Sequence, residues 1–526
     1  MTILVVDFGS QYTHLIYHKL KYYVGYDVQM IDSDEFNQMD KSELSILYNC
    51  VILSGGPQVA GTEQWTISEL PVGVIGICYG AQLMAVQNGY QLEKEIGEYG
   101  KTVIYNPNTY EHGPITVWMS HEMFVNPDSN MTGKQLLFNE FTQKEKHPVS
   151  WQYVDTVDGD EYMRYGYQYH PEVDHSQYGL HKLCNHVNHF MGKPKILLQN
   201  KIDVDISPLL SELETDIKTK VGQNDKIYLA LSGGVDSSTL ALFLLQYFKP
   251  EQLHFYIVDN GLMRKDEVSE IVKVLLTYIP EKCLTILNKS DYFLEQLENV
   301  VEAELKRKIL GKSFIDVFTE AIELDMKQNP VTGKTWFAQG TIYPDVIESG
   351  KTKKSEVIKS HHNVGGLPET LPCQLLEPFR NIYKNDIRMI ADKFGLPDEI
   401  RNRHPFPGPG LAIRILGNLT KDKISIVQEA DYIFRQEIQR RKIDSWQVGV
   451  VLLPVKTVGV KGDNRSYQYV LALRAVDSNN GMTAEPTRIS IDDLIEIGNI
   501  LQKNVQGINR VVYDLSSKPP ATIEWE

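Results

Sequence analysis

Cys78 lies in a glycine-flanked turn where its sulfur could act as a nucleophile. Residues 74–84, VIGICYGAQLM, have the pattern of a strand, then Gly-x-Cys-x-Gly, then a helix. This is the nucleophile-elbow pattern with Cys in place of Ser. Gly76 and Gly80 permit the crowded turn, and a helix N-terminus favours a thiolate. Most free cysteines are small buried hydrophobes, but the spacing around Cys78 favours catalysis.

A histidine and a glutamate two residues apart supply the partners that such a thiol needs. His170 and Glu172 follow a strand-like run. His170 could take the thiol proton and later return it to the leaving group, and Glu172 could hold the imidazole tautomer. A single His-x-Glu is ordinarily an exposed turn, whereas beside the elbow it predicts a triad.

The turn at 54–57, SGGP, would be an ordinary turn if it stood alone. With the triad we expect the N–H groups of Gly56 and Tyr79 to form an oxyanion hole.

A second glycine-rich turn, at 231–238, could cradle phosphates. It connects a strand to a helix, so that backbone N–H groups and the helix N-terminus would face an anion. No Gly-Lys-Ser/Thr follows, which excludes a Walker A loop. The alternative is a solvated Gly/Ser turn. The candidate ATP-binding residues of this turn are Ser232, Gly233, Gly234, Val235, Asp236, Ser237 and Ser238, and the Asp236 carboxylate is the candidate ligand for Mg²⁺.

Two other segments support a nucleotide at this turn. Val258 ends the next strand, where the nucleoside would lie at a topological switch point. Lys359, in the glycine-rich segment 358–368, could neutralise charge on a departing pyrophosphate. The adjacent histidines of that segment also suggest a metal site, but neighbouring side chains point apart, so we interpret the segment as a lid. We interpret the His and Cys residues at 181–189 as a polar helix face rather than as a metal cluster.

The elbow, the SGGP turn and His170-Pro171-Glu172 together resemble class I glutamine amidotransferases over about the first 190 residues. The resemblance implies that Gln82 binds substrate glutamine, and that Ser120 and His121 form a backbone clamp for it. Members of that family usually continue with Gly-Asp, where this chain has Glu122-Met123. The sequence leaves open whether this difference weakens glutamine binding.

The turn at 231–238 resembles the loop of ATP pyrophosphatases, and three later motifs resemble the GMP synthetase family. They are KRKILG at 306–311, RHPFPGPGL at 403–411 and KPPATIEWE at 518–526. The resemblance implies glutamine, ATP and XMP as ligands, Mg²⁺ with ATP, no tightly bound organic cofactor, and a homodimer. It also implies that Arg307, Lys518 and Glu524 contact XMP. Otherwise Arg307 would be a surface helix charge and the C-terminus a frayed tail.

Two alternatives to a GMP synthetase remain at this stage. One is another adenylating enzyme, such as a glutamine-dependent NAD synthetase, which usually obtains ammonia from a nitrilase-type domain without the elbow. The other is a nucleotide-sensing regulator that keeps the fold but has lost catalysis. The presence of Cys78, His170 and Asp236 argues against the regulator.

The pattern of strands and helices that must position these residues predicts an α/β protein. Short apolar runs at 3–9, 50–56 and 72–78 alternate with helical segments, and the pattern repeats from 226. Such alternation is typical of doubly wound parallel sheets. After about residue 412, successive strands with few helices indicate an α+β region. We therefore predict two doubly wound parallel-sheet domains, 1–192 and 193–403, followed by a small α+β C-terminal domain, 404–526.

Bulk composition narrows the class of protein further. The chain has 526 residues, 42% of them hydrophobic and 23% charged, with a net charge of −15, which argues against bulk nucleic-acid binding. The five cysteines are few and widely spaced, as expected in a reducing compartment. Neither a signal peptide nor an apolar run of membrane-spanning length is evident. We therefore expect a cytoplasmic protein that binds neither nucleic acid nor membrane.

Overall fold

The structure is a computed structural model that forms two compact units. One unit ends at Glu212 and the other begins at Leu213. The described residues are 2–61, 63–107, 113–130, 135–197, 202–348, 372–401, 403, 406–462, 464–478, 484–518 and 520–526.

The first unit contains a nine-stranded sheet with helices α1–α5. The strands are β1 Thr2–Asp7, β2 Asp27–Asp32, β3 Cys50–Leu53, β4 Gly73–Ile77, β5 Leu92–Tyr105, β6 Ile115–Val125, β7 Leu137–Thr142, β8 Pro148–Val157 and β9 Asp160–Tyr167. The helices are α1 Thr13–His18, which continues as a π-helical turn over Lys19–Tyr23, α2 Ser33–Gln38, α3 Leu44–Leu47, α4 Tyr79–Gln87 and α5 Gly179–Phe190, with short 3₁₀ turns at Lys41–Glu43 and Ile67–Glu69. Helix α6, Ser207–Lys220, contains the boundary between the units.

The sheet of the first unit is half parallel and half antiparallel. Its order is β2-β1-β3-β4-β9-β8-β7-β5-β6. The pairs from β2 to β9 are parallel, and the pairs from β9 to β6 are antiparallel. Strands β3 and β4 are buried along their whole length, as parallel strands covered on both faces are. The parallel half agrees with the prediction, and the antiparallel edge is a feature that the sequence analysis did not predict.

The second unit begins with a five-stranded parallel sheet. Its strands are β10 Lys226–Ala230, β11 Leu253–Asp259, β12 Leu284–Asn288, β13 Thr335–Ala338 and β14 Gln374–Leu376. The helices around it are α7 Val235–Tyr247, α8 Glu267–Leu275, α9 Ser290–Gln296, α10 Ala303–Gln328, α11 Tyr343–Glu348, α12 Lys384–Lys393 and α13 Asp398–Arg401, with 3₁₀ turns at Pro250–Gln252 and Glu281–Cys283. The order β12-β11-β10-β13-β14 reverses direction at β10. The turn that follows β10 is therefore at the switch point, where open α/β sheets bind ligands.

The remainder of the second unit is a small α+β layer on the same core. It contains a 3₁₀ turn at Gly410–Arg414, α14 Lys421–Arg440, β15 Gln447–Lys461, β16 Asn464–Asp477, β17 Glu485–Pro486, α15 Ile491–Asn504 and β18 Ile508–Tyr513. Strands β15 and β16 form a long antiparallel pair, and β18 pairs with β16 in parallel. Leu262 and Phe293 belong to the same apolar cluster as Leu411, Phe434 and Leu471. Residues on both sides of position 404 thus share one core.

The predicted fold class, α/β with parallel-dominated sheets and a final α+β region, is confirmed. The three domain ranges remain predictions. Within the described residues, no helix is both long and apolar enough to cross a membrane.

Candidate active sites

Cys78 occupies the strained elbow that the glycine spacing predicts. It stands between β4 and α4 with φ +52° and ψ −104°, a backbone conformation that L-residues rarely adopt. Its N–H donates to the Tyr167 carbonyl at 2.6 Å, which anchors the turn to β9. A Cβ on Gly76 would stand 2.5 Å from the Gly80 carbonyl carbon, and one on Gly80 would collide with the Leu53 carbonyl oxygen. Both positions therefore require glycine.

The structure brings the predicted histidine and glutamate together next to this cysteine. His170 Nδ1 is 2.8 Å from Glu172 Oε1, and the two side chains are 2% and 1% exposed. Burial alone would lower the pKa of His170, but the Glu172 carboxylate and hydrogen bonding to Cys78 and Glu172 raise it to about 10. A proton is therefore held on the imidazole at neutral pH. The Tyr12 ring packs edge-to-face with the imidazole of His170, with the ring centroids 4.7 Å apart.

The SGGP turn lies against the elbow, as an oxyanion hole requires. The Gly80 N–H donates to the Ser54 carbonyl at 3.1 Å, and a Cβ on Gly55 would be 3.3 Å from His170 Cε1. A Cβ on Gly56 would be 2.7 Å from the Phe8 carbonyl oxygen, so this position also requires glycine. Tyr79 is the first residue of α4, where a backbone N–H has no acceptor within the helix.

A buried glutamine that the sequence analysis missed connects the predicted glutamine-binding residues to the sulfur. Gln82 Nε2 donates to the Met123 carbonyl at 3.1 Å and to Gln168 Oε1 at 3.3 Å. Gln168 Nε2 is 4.0 Å from Cys78 Sγ, and the Ser120 carbonyl oxygen is 3.8 Å from the same atom. Gln168 is two residues before His170 on the same run, and this alternation is the signal that could have identified it.

Two neighbouring residues of the predicted clamp differ in burial: His121 is buried and Glu122 is exposed. His121 is buried, with Nε2 3.6 Å from Glu98 Oε2. Burial, helped by the charge on His170, lowers its pKa to about 3, so it is neutral. The Glu122 side chain is exposed, and it accepts from Lys94 Nζ at 2.8 Å and from the Tyr99 hydroxyl at 3.0 Å. The unusual glutamate therefore points away from the triad.

The second predicted site is a compact loop at the switch point of the second unit. Ser232 Oγ is 3.0 Å from Ser237 Oγ and accepts from the Gly234 N–H at 3.3 Å. Gly233 has φ +73°. Ser238 is fully buried in the first turn of α7. The loop is thereby folded back over the N-terminus of α7, the position where backbone N–H groups attract anions.

Two cationic side chains that the sequence analysis missed lie against this loop. Lys384 Nζ donates to Oδ1 and Oδ2 of Asp236, both at 2.7 Å. Arg403 Nη1 donates to the Gly233 carbonyl at 3.0 Å, and its other terminal nitrogen pairs with Glu267. Val258 lies on β11, the strand next to β10. Lys359 and the two adjacent histidines of the predicted lid lie outside the described residues.

The structure gives two of the three predicted XMP-binding residues, Glu524 and Arg307, side-chain hydrogen bonds to other residues of the protein. Glu524 accepts from Arg414 at 2.8 Å and 3.0 Å and from Gln447 at 2.6 Å. Arg307 donates to the Glu526 main-chain oxygen at 2.5 Å. The Lys518 main chain pairs with Ala484. The terminal segment is thus anchored by hydrogen bonds and not frayed.

Lys306, next to Arg307, is a further residue that the sequence analysis missed. It is fully buried, and its Nζ donates to the carbonyls of Ala412 and Ile415 and to Glu526 Oε2 at 3.1, 2.7 and 2.5 Å.

The His and Cys residues of helix α5 in the first unit are held by packing: Cys184 is buried, and His186 stacks on Tyr165 with ring centroids 3.6 Å apart. Among the described residues no three His, Cys, Asp or Glu side chains are grouped as metal ligands.

Comparison with known proteins identifies the family. Residues 4–190 match the class I glutamine amidotransferase model, and residues 436–525 match the GMP synthase C-terminal domain model. A glutamine-hydrolysing GMP synthase of Thermotoga maritima is 40% identical over 100% of both chains. Proteins with the same name from Cytophaga hutchinsonii and Aquifex aeolicus are each 39% identical over 100% of this chain and 99% of their own. The chain belongs to the glutamine-hydrolysing GMP synthase family.

Membership of the GMP synthase family confirms the predicted enzyme class. The chain is an enzyme of GMP synthesis that takes its nitrogen from glutamine and uses ATP. The NAD synthetase alternative is thereby wrong. The triad geometry lies inside the range matched by the amidotransferase model, and Glu524 and Lys518 lie inside the range matched by the C-terminal model. The roles of individual residues remain to be assigned from the geometry.

Proposed function

We propose that this GMP synthase releases ammonia from glutamine at Cys78, activates XMP with MgATP at the 232–238 loop, and aminates the activated nucleotide to GMP. The observation that carries the proposal is the buried Cys78–His170–Glu172 arrangement, in which His170 Nδ1 is 2.8 Å from Glu172. A thiol with a charged imidazole beside it is an activated nucleophile. The hydrolysis products are glutamate and ammonia, and the ATP products are pyrophosphate and AMP.

In the glutaminase half, the Cys78 sulfur attacks the side-chain amide carbon of glutamine. The N–H groups of Gly56 and Tyr79 stabilise the oxyanion, and His170 gives its proton to the departing ammonia. Water then hydrolyses the glutamyl thioester. Gln82, Ser120 and His121 are assigned to glutamine binding. A neutral His121, with its pKa lowered to about 3, adds no cation next to the substrate ammonium group.

In the synthetase half, the loop residues 232–238 hold the phosphates of ATP, and Val258 lies beside the nucleoside. The Asp236 carboxylate fits a magnesium ion because it is an oxygen donor, and its two oxygens already accept a cationic group, the Lys384 ammonium. Magnesium supplies charge neutralisation on the phosphates when it is bound. The XMP O2 attacks the α-phosphorus and releases pyrophosphate, and Lys359 is assigned to the pyrophosphate.

The XMP site is assigned to Arg307, Lys518 and Glu524. Cationic groups suit the nucleotide phosphate, and Glu524 accepts from the purine or ribose. Arg414 fixes both Glu524 oxygens and so sets its direction. Ammonia then attacks C2 of the adenylylated nucleotide and displaces AMP. Shelter from water keeps the ammonia unprotonated and nucleophilic. We also propose that the enzyme is a cytoplasmic homodimer.

The test is to separate the two halves by mutation and nitrogen source. Cys78→Ala should lose GMP formation with glutamine and keep it with ammonium chloride, whereas Asp236→Ala should lose both. Cys373→Ala, which removes a half-buried thiol of the second unit, is the matched control and should keep both. Wild-type enzyme should form GMP, AMP and pyrophosphate in equal amounts. ADP and orthophosphate as products, or no ammonia-dependent activity in Cys78→Ala, would contradict the proposal.

A further inference from the structure

Tyr12 immediately precedes helix α1, and its side chain packs against His170. The two ring centroids are 4.7 Å apart and the ring planes meet at 60°, within the range in which aromatic pairs attract each other edge to face. The Tyr12 side chain makes no capping hydrogen bond to α1. Helix formation therefore does not account for an aromatic ring at this position, whereas the contact with His170 does.

The Tyr12 ring is tied to the strand that also holds His170. Trp118 Nε1 donates to the Tyr12 hydroxyl oxygen at 3.1 Å. The main-chain carbonyl of the same tryptophan, on β6, accepts from the His170 N–H at 2.9 Å. At the other end of the residue, the Tyr12 N–H donates to Ser10 Oγ at 3.1 Å. Tyr12 is thus anchored at both ends, and Trp118 connects its hydroxyl to the main chain of the histidine.

The hydrogen bonds of His170 fix its main chain and one ring nitrogen. Its carbonyl accepts from Ser176 Oγ at 2.5 Å, and its Nδ1 is 2.8 Å from Glu172 Oε1. The torsion that turns an imidazole about its Cβ–Cγ bond has broad energy wells, so a single hydrogen bond leaves the ring able to tilt. Packing against the ring restricts that tilt, and the Tyr12 ring supplies such a contact.

Tyr12 acts on the imidazole through its shape rather than through a charge. Burial raises the pKa of its hydroxyl against the opposing effect of the Trp118 hydrogen bond, and the nearby Glu172 and Cys78 raise this pKa further. The side chain is therefore a neutral phenol, which does not compete with Glu172 for the proton of His170. The property that matters is the aromatic ring, which phenylalanine shares and leucine lacks.

We propose that Tyr12 is a positioning residue of the glutaminase site, whose ring keeps the His170 imidazole aligned with both the Glu172 carboxylate and the Cys78 sulfur. Proton transfer from the thiol and later to the departing ammonia requires the imidazole at hydrogen-bond distance from each group in turn. A misplacement of about 1 Å can cost about 10²-fold in rate. Tyr12 exerts this effect through His170. The inference rests on the proposed assignment of the triad to glutamine hydrolysis.

The test removes the whole ring in one variant and only the hydroxyl in another. Glutamate release by the full-length enzyme is measured with XMP, MgATP and varied glutamine. We expect Tyr12→Leu to lower kcat about 10- to 100-fold, with little change in the KM for glutamine, because alignment of the imidazole matters for the chemical step rather than for substrate binding. Tyr12→Phe keeps the ring and should retain most of the wild-type kcat.

The pKa of His170 is a readout that a general loss of stability would not move. Contacts with Glu172 and Cys78 raise this pKa, so an imidazole that tilts away from them should have a lower one. Nuclear magnetic resonance of labelled histidine should show a fall of about one unit in Tyr12→Leu, a tenfold change in proton affinity, and no such fall in Tyr12→Phe.

The matched control removes another half-buried tyrosine from the same helix. Tyr17, whose hydroxyl oxygen is 3.0 Å from Lys21 Nζ, is outside the proposed site. Tyr17→Leu should therefore leave both kcat and the pKa of His170 unchanged. Ammonia-dependent GMP formation and circular dichroism report that each variant is folded.

The outcomes separate this inference from the function on which it depends. If folded Tyr12→Leu keeps the wild-type kcat or the wild-type pKa of His170, the role of Tyr12 is overturned. An equal loss of kcat in Tyr12→Phe or in Tyr17→Leu would also overturn it, because the ring would not be the cause. Continued glutamate release by Cys78→Ala in the same assay would overturn the triad together with the role of Tyr12. A fall in kcat and pKa in Tyr12→Leu that Tyr12→Phe does not share supports the inference.

Discussion

Replacement of Glu172 by glutamine should convert His170 from a charged to a neutral side chain without changing the shape of the site. The two side chains are almost completely buried and 2.8 Å apart. Glutamine has the same size as glutamate, so packing is preserved. Only the negative charge of Glu172, which helps to raise the pKa of His170 to about 10, is removed. Burial, which lowers that pKa, would then be opposed mainly by the contact with Cys78.

The size of the effect follows from Coulomb's law. Opposite charges at about 4 Å attract by about 4 kcal/mol at an effective dielectric constant of 20, or about 3 pKa units. The pKa of His170 in Glu172→Gln should therefore fall to near its ordinary value. Since folding raises this pKa in the wild type, the stabilisation is fully present below the unfolded value of 6.5 and is lost as the pH rises towards 10. The variant should lack this dependence.

Two measurements check the prediction. Nuclear magnetic resonance of labelled histidine should show His170 protonated at pH 8 in the wild type and neutral in Glu172→Gln. Urea unfolding at pH 6.5 and pH 9.5 should show a loss of several kcal/mol in the wild type that the variant does not share. We expect the glutaminase kcat to fall about 10²- to 10⁴-fold because the tautomer is no longer fixed, with ammonia-dependent synthesis unchanged. A neutral His170 in the wild type at pH 8 would refute the reasoning.

Three further changes test the framework around the sites. Gly80→Ala should destabilise the first unit by about 1–3 kcal/mol through overpacking, whereas Gly113→Ala, with no atom within 4 Å of the added Cβ, should not; equal urea midpoints for the two would contradict this. Arg164→Met leaves the buried Asp155, now 3.0 Å from Arg164, without its ion-pair partner and should cost about 3–5 kcal/mol, measured by the same unfolding assay. Arg414→Met should raise the KM for XMP by about tenfold or more while glutamine hydrolysis is kept, and an unchanged KM would show that Glu524 does not depend on it.

The sequence predicts those parts of the sites whose residues are close together in the chain. The Cys78 elbow is a strand, two glycines and a helix within eleven residues, and the 232–238 loop is equally compact. In the elbow a Cβ on either glycine would meet the backbone, and in the 232–238 loop Gly233 has φ +73°, which favours glycine. Such requirements leave a pattern in the sequence. His170 has no such pattern and could be predicted only because the elbow requires a base.

The residues that the sequence did not reveal act across long separations. Lys384 meets Asp236 from 148 positions away, and Gln168 reaches Cys78 from 90. A single lysine at the start of a helix has no distinctive local signature, and the spacing of Gln168 from His170 becomes informative only after the elbow has identified His170. Their roles arise from the topology, which brings α12 against α7 and β9 against β4.

The antiparallel edge of the first sheet was missed for a different reason. Strand β5 has the sequence LEKEIGEYGKTVIY, in which charged residues and glycines alternate with few apolar ones. These residue types are depleted in strands. The strand forms because the hydrogen bonds of its long pairing with β6 outweigh the low intrinsic β-propensity of its residues.

A chain of paired charges, buried except at its two ends, runs through the second and third predicted domains. Beginning at the ATP loop, each member pairs with the next: Arg403, Glu267, Arg264, Asp431, Arg414 and Glu524. Buried charges are tolerated only when they are paired, and the pair of Arg264 with Asp431 joins the residues before position 404 to those after it. The change in strand pattern after residue 412 therefore marks a change in architecture, not a break in packing. The proposed ATP loop and the proposed XMP-binding carboxylate Glu524 are in this way connected through one continuous series of ion-paired side chains.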